Sequence, residues 1–412
     1  MVVFEDDGLE GFMPLVELRH TSQLGWGTKT LLEGLTSNIG GNTQMGLWGR
    51  KELAEVTKEE LGLGYNEKAE GRALYVNARA RPDKSLHYLA ARGTDFVALS
   101  RGQVVAARLG SGLVSPGVMT RKEATRIAKK VERLDAAVDG LFQGYWDLVE
   151  RNGFAIAEQA KHFEDHMGIP NQVEVKGPAS NLRIDGGAEV EFHVTFDVRL
   201  GPVVVEKGAT IESLSRVTGP SYIGIKSKVH SARLGAGTSV FEGCKIGGQV
   251  ENSVMMSHSN KAHHGYVGDA YVGEWANLGA GSTFSNLKNT YGNVKVDLEG
   301  TVKDSGMQKL GPAVGDMCKL SIGALVYAGR TIGTGSHVSG LASHSIPNFT
   351  FYDGTSRKAV ELLIDSVIET QRRMMERRGQ ALTRARESLI RRTFAATSLQ
   401  RRRAGIKKGK LG

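Results

Sequence analysis

Cysteine is nearly absent: the 412 residues hold two, Cys244 and Cys318. Two thiols exclude a disulfide framework and a four-cysteine metal site, and they suit a reducing compartment. There is also no apolar run near the roughly 20 residues that span a bilayer. The opening MVVFEDDGLEG has no basic stretch followed by an apolar one. No signal peptide and no membrane segment are therefore expected, and the expected location is cytoplasmic. A basic surface is lacking over most of the chain as well, despite a net charge of +9. Residues 371–412 carry 14 Lys/Arg against 2 Asp/Glu, so of the totals of 53 and 44 the remainder keeps 39 against 42, a net of −3. The body is not a nucleic-acid-like surface. Only the basic tail is a candidate for gripping phosphates or RNA, and its simpler reading is a solvated run.

What the chain does have is a beat of six. Val205, Ile211, Val217, Ile223 and Val229 fall six residues apart; Leu234, Val240 and Ile246 resume the beat; Val272 and Leu278 keep it; Val314, Leu320, Val326, Ile332 and Val338 finish it. Small residues follow many of them, among them Gly224, Gly247, Gly279 and Gly333. An apolar residue every six, followed by a small-residue turn, marks a hexapeptide-repeat parallel β-helix. Each short strand turns one aliphatic side chain inward, and coils stack about 4.8 Å apart as neighbouring strands do. Strands of a sandwich would alternate with a period of two instead.

A chain of 412 residues with 40% hydrophobic content favours more than one domain. Residues 1–120 read as mixed α/β and residues 121–168 as a helical linker. Residues 169–350 form the coil, and residues 351–412 form a C-terminal helix, over about 357–394, with a disordered basic tail. Two segments leave the beat, 249–265 and 284–312. Insertions in a solenoid gather on loops, and such loops often carry function. The C-terminal helix is expected to cap the open strand edge of the coil.

The stretch SHSNKAHHGYVGDAYVGEWANLGAGSTFSNLKNTYG closely resembles the sugar-nucleotide enzymes related to the bifunctional N-acetylglucosamine-1-phosphate uridyltransferase/glucosamine-1-phosphate acetyltransferase. Within them it is most similar to the sugar nucleotidyltransferase branch, with its SNK-x-H-x-G, GEW-x-NLGAG and SNLKN motifs. FEDDGLEGFMPLVELR, LYVNARARP, YWDLVERN and ETQRRMMERRG extend the resemblance more weakly. It implies an α/β nucleotidyltransferase-like domain in residues 1–120, then a left-handed β-helix. It also implies a homotrimer with active sites between subunits. Its substrates would be sugar phosphates and nucleotides, with acetyl-CoA as co-substrate and Mg2+ accompanying a nucleoside triphosphate.

In the acetyltransferases of this family one histidine is the general base, and counting from Tyr266 to Asp269 the matching residue is His263. Imidazole suits the role because its pKa lies near neutrality. The resemblance places Tyr266, Asn277 and Asn286 on sugar-binding positions and Ala280 where a backbone group contacts acyl-CoA. Lys261 and Lys288 stand beside them as candidates to neutralise the sugar phosphate. Leu287 departs from the family, which carries Tyr there. In the N-terminal region these enzymes show a Gly-x-Gly-Thr-Arg loop. Here Met13, Pro14 and Leu15 follow no such loop, and His20 and Thr21 stand where Pro and Lys are usual. Arg19, Lys29 and Asn77 are the nucleotide-binding candidates. GWGTKT, holding Gly25, Gly27 and Lys29, reads either as a phosphate cradle or as a turn before a helix.

The leading expectation is an enzyme of sugar-nucleotide biosynthesis, a nucleotidyltransferase-type domain joined to an acetyl-CoA-dependent hexosamine-1-phosphate acyltransferase-like coil. Two alternatives stay open. One is a non-catalytic trimeric scaffold that binds a sugar nucleotide. The other is a zinc hydratase, with His258, His263 and His230 as metal ligands.

Overall fold

The computed structural model describes residues 1–39, 44–110, 112–137, 140–164, 168–298 and 300–409. The last residues of the basic tail, Lys410 to Gly412, lie outside them.

The run VVF near the start places apolar side chains on both faces of one strand, as a parallel sheet covered on both sides requires. Val2–Phe4 runs parallel to Gly46–Trp48 on one side and to Arg72–Asn77 on the other. The full order is Gly64–Tyr65, Gly46–Trp48, Val2–Phe4, Arg72–Asn77, Gln103–Gly110, Phe96–Ser100, Glu132–Asp135. Val3, Leu47 and Val76 are buried on one face, and Val2, Phe4 and Tyr75 on the other. Within the helical linker expected over 121–168, the first stretch, RKEATRIAKKVERL, needs correction. Helix Arg121–Ala128 ends early, and Glu132–Asp135 adds to the sheet beside Phe96–Ser100. That strand would otherwise leave an open edge, so pairing overrides the helical reading of KKVERL. Helix resumes at Tyr145–Glu150 and Asn152–Gln159.

The coil is a prism with three inward columns. One column stacks Ile184, Val205, Ile223, Val240, Met255, Val272, Val314 and Ile332 in register. A second begins with Phe196, Val217, Leu234, Val250 and Val267. The third runs Val190, Ile211, Val229, Ile246 and Lys261, then Leu278, Leu320 and Val338. Residues 249–265 therefore do not leave the coil. Val250 and Met255 are rungs at shortened steps, and the next rung is a lysine, which an apolar count cannot see. Of residues 284–312, Phe284 is still a rung, paired with Val326, and the chain leaves the coil after it. It forms a hairpin of Lys295–Leu298 with Thr301–Asp304. Val294, Val296 and Leu298 of this excursion join Phe12, Leu15 and Tyr145 in a shared core.

At its far end the coil closes with Thr350–Asp353 paired antiparallel to Lys358–Glu361. The single expected helix is a hairpin strand followed by two helices, Ile364–Glu376 and Arg384–Ala396. The break holds Gly379 at φ +68, a left-handed turn that glycine adopts without a Cβ penalty. Thr383 restarts the helix by accepting from the Arg386 backbone N–H at 3.2 Å. The basic run is not wholly a loose tail. Ser398–Arg403 is helical, and Lys407–Lys408 adds a strand beside Lys358–Glu361. Arg401 is buried, bonded to Glu361 at 2.7 Å and lying 4.3 Å over the Phe394 ring. Helix Arg384–Ala396 folds back on the N-terminal region, where Leu389 and Ile390 pack with Leu53 and Val56. Among the described residues no helix is long and apolar enough to cross a membrane.

Candidate functional site

The corner between Asn260–Lys261 and Tyr266–Gly268 carries the candidate base. The chain turns there with almost no room. A Cβ on Gly247 would lie 2.2 Å from the Ala262 carbonyl, and one on Gly265 would lie 2.2 Å from the Ser282 carbonyl. His263 and His264 stand exposed at this corner. Lys261 holds the corner from inside. Its side chain is wholly buried, and its ammonium donates to the His263 carbonyl at 2.6 Å and the His264 carbonyl at 2.9 Å. Burial brings its pKa down to about 8. It points into the prism, away from any phosphate outside.

Tyr266 and Asn286 are brought together. The Asn286 amide donates to the Tyr266 hydroxyl at 3.0 Å and to Asp269 Oδ2 at 2.5 Å. The Tyr266 hydroxyl donates in turn to Glu251, and Asn252 donates to Asp269 Oδ1 at 2.6 Å. Burial and the Glu251 carboxylate keep the phenol well above its usual range. Glu251 and Asn252 were not legible as site residues, because both belong to the preceding coil. Ala280 lies one coil on, its carbonyl accepting from Gly323 N–H at 2.7 Å. Lys288 stands on the excursion and donates to the Asn293 carbonyl at 3.0 Å.

Asn277 belongs to a neighbouring face. It stands in a register column with Lys245, Asn260 and Lys319, each one residue before an inward rung. This column lines a cleft of about 420 Å³ beneath helix Ile364–Glu376. Lys245, Asn260 and Lys319 carry a sequence signal only once the register is known.

The nucleotide candidates stand apart from one another. Arg19 is buried between coil carboxylates, 2.6 Å from Asp316 and 2.9 Å from Glu274. Asn77 is buried, donating to Asp6 Oδ2 at 2.9 Å. Lys29 reaches Ser37 at 3.4 Å. The GWGTKT hairpin packs on the coil: Tyr271 donates to the Gly25 carbonyl at 2.9 Å, and a Cβ on Gly25 would lie 2.4 Å from the Phe241 ring. The carboxyl ends of the parallel strands hold a different set, Glu5, Asp6, Asn77 and Arg79. Arg79 binds Asp6 with two nitrogens, at 2.8 and 2.6 Å. Glu5 is buried and meets Arg50 at 2.8 Å; burial pushes its carboxyl up, but Arg50 and His20 outweigh that and hold it at about 2. The two carboxylates best placed for a divalent cation are thus already paired with arginines, and Asp7 alone does not make the usual carboxylate set for Mg2+. The zinc candidates are likewise engaged elsewhere. His258 stacks on Trp275 at 4.4 Å, and His230 Nδ1 lies 2.7 Å from Glu212.

Residues 1–167 match the family described as sugar nucleotidyl transferase. A bifunctional sugar-1-phosphate nucleotidylyltransferase/acetyltransferase of Sulfurisphaera tokodaii is 38% identical over 98 residues, covering 23% of this chain and 24% of that protein. The bifunctional protein GlmU of Bordetella parapertussis is 31% identical over 180 residues, covering 40% of this chain and 38% of that one. The chain thus matches well under half the length of these curated relatives. A solved Francisella novicida UDP-N-acetylglucosamine acyltransferase aligns at a TM-score of 0.32 with 11% identity, over 56% of this chain and 87% of that one. The N-terminal 167 residues thus match a sugar nucleotidyl transferase family, and parts of the chain are similar to bifunctional sugar-1-phosphate nucleotidyltransferase/acetyltransferases.

Proposed function

We propose that the chain is an enzyme of sugar-nucleotide biosynthesis, a transferase acting in the cytoplasm as a homotrimer. Its N-terminal part would be of the sugar-1-phosphate nucleotidyltransferase type, and its coil would transfer an acetyl group to a hexosamine 1-phosphate. The observation that carries the coil reading is the network of Tyr266, Asn286 and Asp269 next to the corner that bears His263. In this reading the amine of the sugar attacks the thioester carbonyl of acetyl-CoA. The new C–N bond forms as the C–S bond breaks, the thiolate of CoA leaves, and the proton of the amine passes to the imidazole of His263. Tyr266 and Asn286 hold the sugar, and Asn277 stands on the neighbouring face. Ala280 stands at the acyl-CoA, and Lys261 fixes the corner from within. The sugar 1-phosphate then meets a nucleoside triphosphate at the N-terminal part, where, of Arg19, Lys29 and Asn77, only Asn77 stands at the carboxyl ends of the parallel strands.

The test is CoA release from acetyl-CoA and glucosamine 1-phosphate, read alongside diphosphate release from a panel of sugar phosphates and nucleoside triphosphates. His263→Ala should lower CoA release by about 10²–10⁴-fold and leave diphosphate release unchanged. CoA release by that variant at the wild-type rate would remove His263 from the mechanism. Silence in both assays, with a sugar nucleotide still bound, would turn the reading to a binding scaffold.

A further inference from the structure

One wall of the cleft beneath helix Ile364–Glu376 is the coil column with Lys245 and Lys319; the other brings Arg373, Arg377 and Arg378 from the end of that helix and just beyond it. Five cations converge on one space, and among the described residues no carboxylate lines it. Arg373 is bonded to Glu369 at 2.9 Å, one turn back along the helix. Arg378 is fixed in place, donating to the Gly243 carbonyl at 2.7 Å and to Asn260 Oδ1 at 2.6 Å. Lys319 donates to the Trp275 carbonyl at 3.1 Å and the Met317 carbonyl at 2.8 Å. Neither holding contact supplies negative charge.

Such an arrangement costs free energy unless something anionic enters. Like charges at close range disfavour the charged forms, and partial burial weakens the screening that would relieve them. Burial brings Lys319 down to about 8, and burial, then Arg378, Lys228 and Arg377, lowers Lys245. A volume of about 420 Å³ falls within the roughly 300–1,000 Å³ of small-ligand pockets. Arginine forks present paired donors that match phosphate oxygens.

We propose that this cleft binds the diphosphate group of a nucleotide-type ligand, gripped between Lys245 and Lys319 on the coil and Arg373, Arg377 and Arg378 of the C-terminal segment. Two sources carry that group, coenzyme A and a nucleoside-diphosphate sugar. The proposal deepens the acyl-transfer reading at Asn277, which lines the same cleft, and its test needs no turnover. A failure of acyl transfer and a failure of anion binding are therefore told apart.

The experiment is calorimetric titration of the full chain with inorganic diphosphate at low and moderate salt. The wild-type chain should show saturable binding that weakens with salt. One site should be lost, or weakened at least about tenfold, in Arg377→Ala and in Lys245→Ala. These variants come from opposite walls, so if one fails to fold the other still decides. Displacement of diphosphate from that site by coenzyme A assigns the cleft to the co-substrate, and displacement by a nucleoside-diphosphate sugar assigns it to the sugar nucleotide. Displacement by both leaves the shared group as the determinant. Absence of saturable binding, an isotherm unchanged in the folded variants, or displacement by neither compound overturns the proposal.

Discussion

The guanidinium of Arg19 lies 2.6 Å from the carboxylate of Asp316, 297 residues away along the chain. It also reaches Glu274 at 2.9 Å. All three groups sit where the N-terminal segment meets the coil. Burial pushes both carboxyls toward their neutral forms; at Glu274 Arg19 outweighs it and the pKa falls, while at Asp316 burial prevails against Arg19 and the pKa rises. Replacing Arg19 by Met leaves Asp316 buried and Glu274 half-buried without their cation, so Arg19→Met should destabilise the chain by about 3–5 kcal/mol in denaturant unfolding. Adding Asp316→Asn and Glu274→Gln to Arg19→Met should recover much of that loss, since the stranded charge is then gone. A triple variant no more stable than Arg19→Met would show that Arg19 acts through packing and not through charge.

Lys261 makes a prediction in pH. Burial depresses its pKa from 10.5 to about 8, so between those values the unfolded chain binds more protons than the folded one. Stability linked to this group therefore rises with pH across that window. The penalty for the buried ammonium is fully present below about 8 and is lost as pH climbs toward 10.5. In Lys261→Met the penalty is absent at every pH. The variant minus wild-type difference in unfolding free energy should therefore shift against the variant by about 3 kcal/mol from pH 7 to pH 10.5. A difference flat in pH would show that Lys261 titrates normally.

The rungs of the prism are legible in the chain because each is aliphatic and each repeats. Lys261 is not, because a lysine at a rung looks like surface, and the carbonyls that satisfy it belong to its own corner. The Tyr266–Asn286 pair is legible through motif resemblance. Its partners Glu251 and Asn252 are not, since they come from the coil beneath and only the register brings them up. Arg19, Lys29 and Asn77 look like one nucleotide set along the chain, but the fold assigns them to three different neighbourhoods. The reason is the domain interface, which uses Arg19 against the coil, sets Gly25 of GWGTKT against Phe241 and Tyr271 and sets Gly27 against Ala155 and Gln159. The basic tail reads as solvated by composition, yet Arg401 finds Glu361 and the Phe394 ring only after two helices have turned the chain back.

Gly265 tests how tightly the His263 corner is set. Its φ of +120 lies where side chains are rare, and a Cβ would meet the Ser282 carbonyl at 2.2 Å. Backbone, not a flexible side chain, stands in the way, so the coil must shift to admit a methyl group. Gly265→Ala should cost about 2–3 kcal/mol of stability and lower CoA release further than that loss of folded protein explains. An alanine variant with wild-type unfolding would mean the corner relaxes freely.

Tyr266 separates binding from scaffolding at the proposed acyl-transfer site. Its hydroxyl donates to the Glu251 carboxylate and accepts from Asn286 at 3.0 Å. Tyr266→Phe removes both bonds while keeping the ring. Glu251 retains the contact from Gln249 at 3.2 Å, so the expected loss of stability is that of a single charge-assisted bond, about 1.5–3 kcal/mol. If the network orients the sugar, kcat/KM for glucosamine 1-phosphate in CoA release should fall about 10–100-fold, chiefly through KM. Diphosphate release at the N-terminal part should stay at the wild-type rate, because that region lies outside the network. A fall in kcat/KM carried wholly by kcat would place Tyr266 in the chemical step instead, and a fall in both activities together would mean that the change is one of folding.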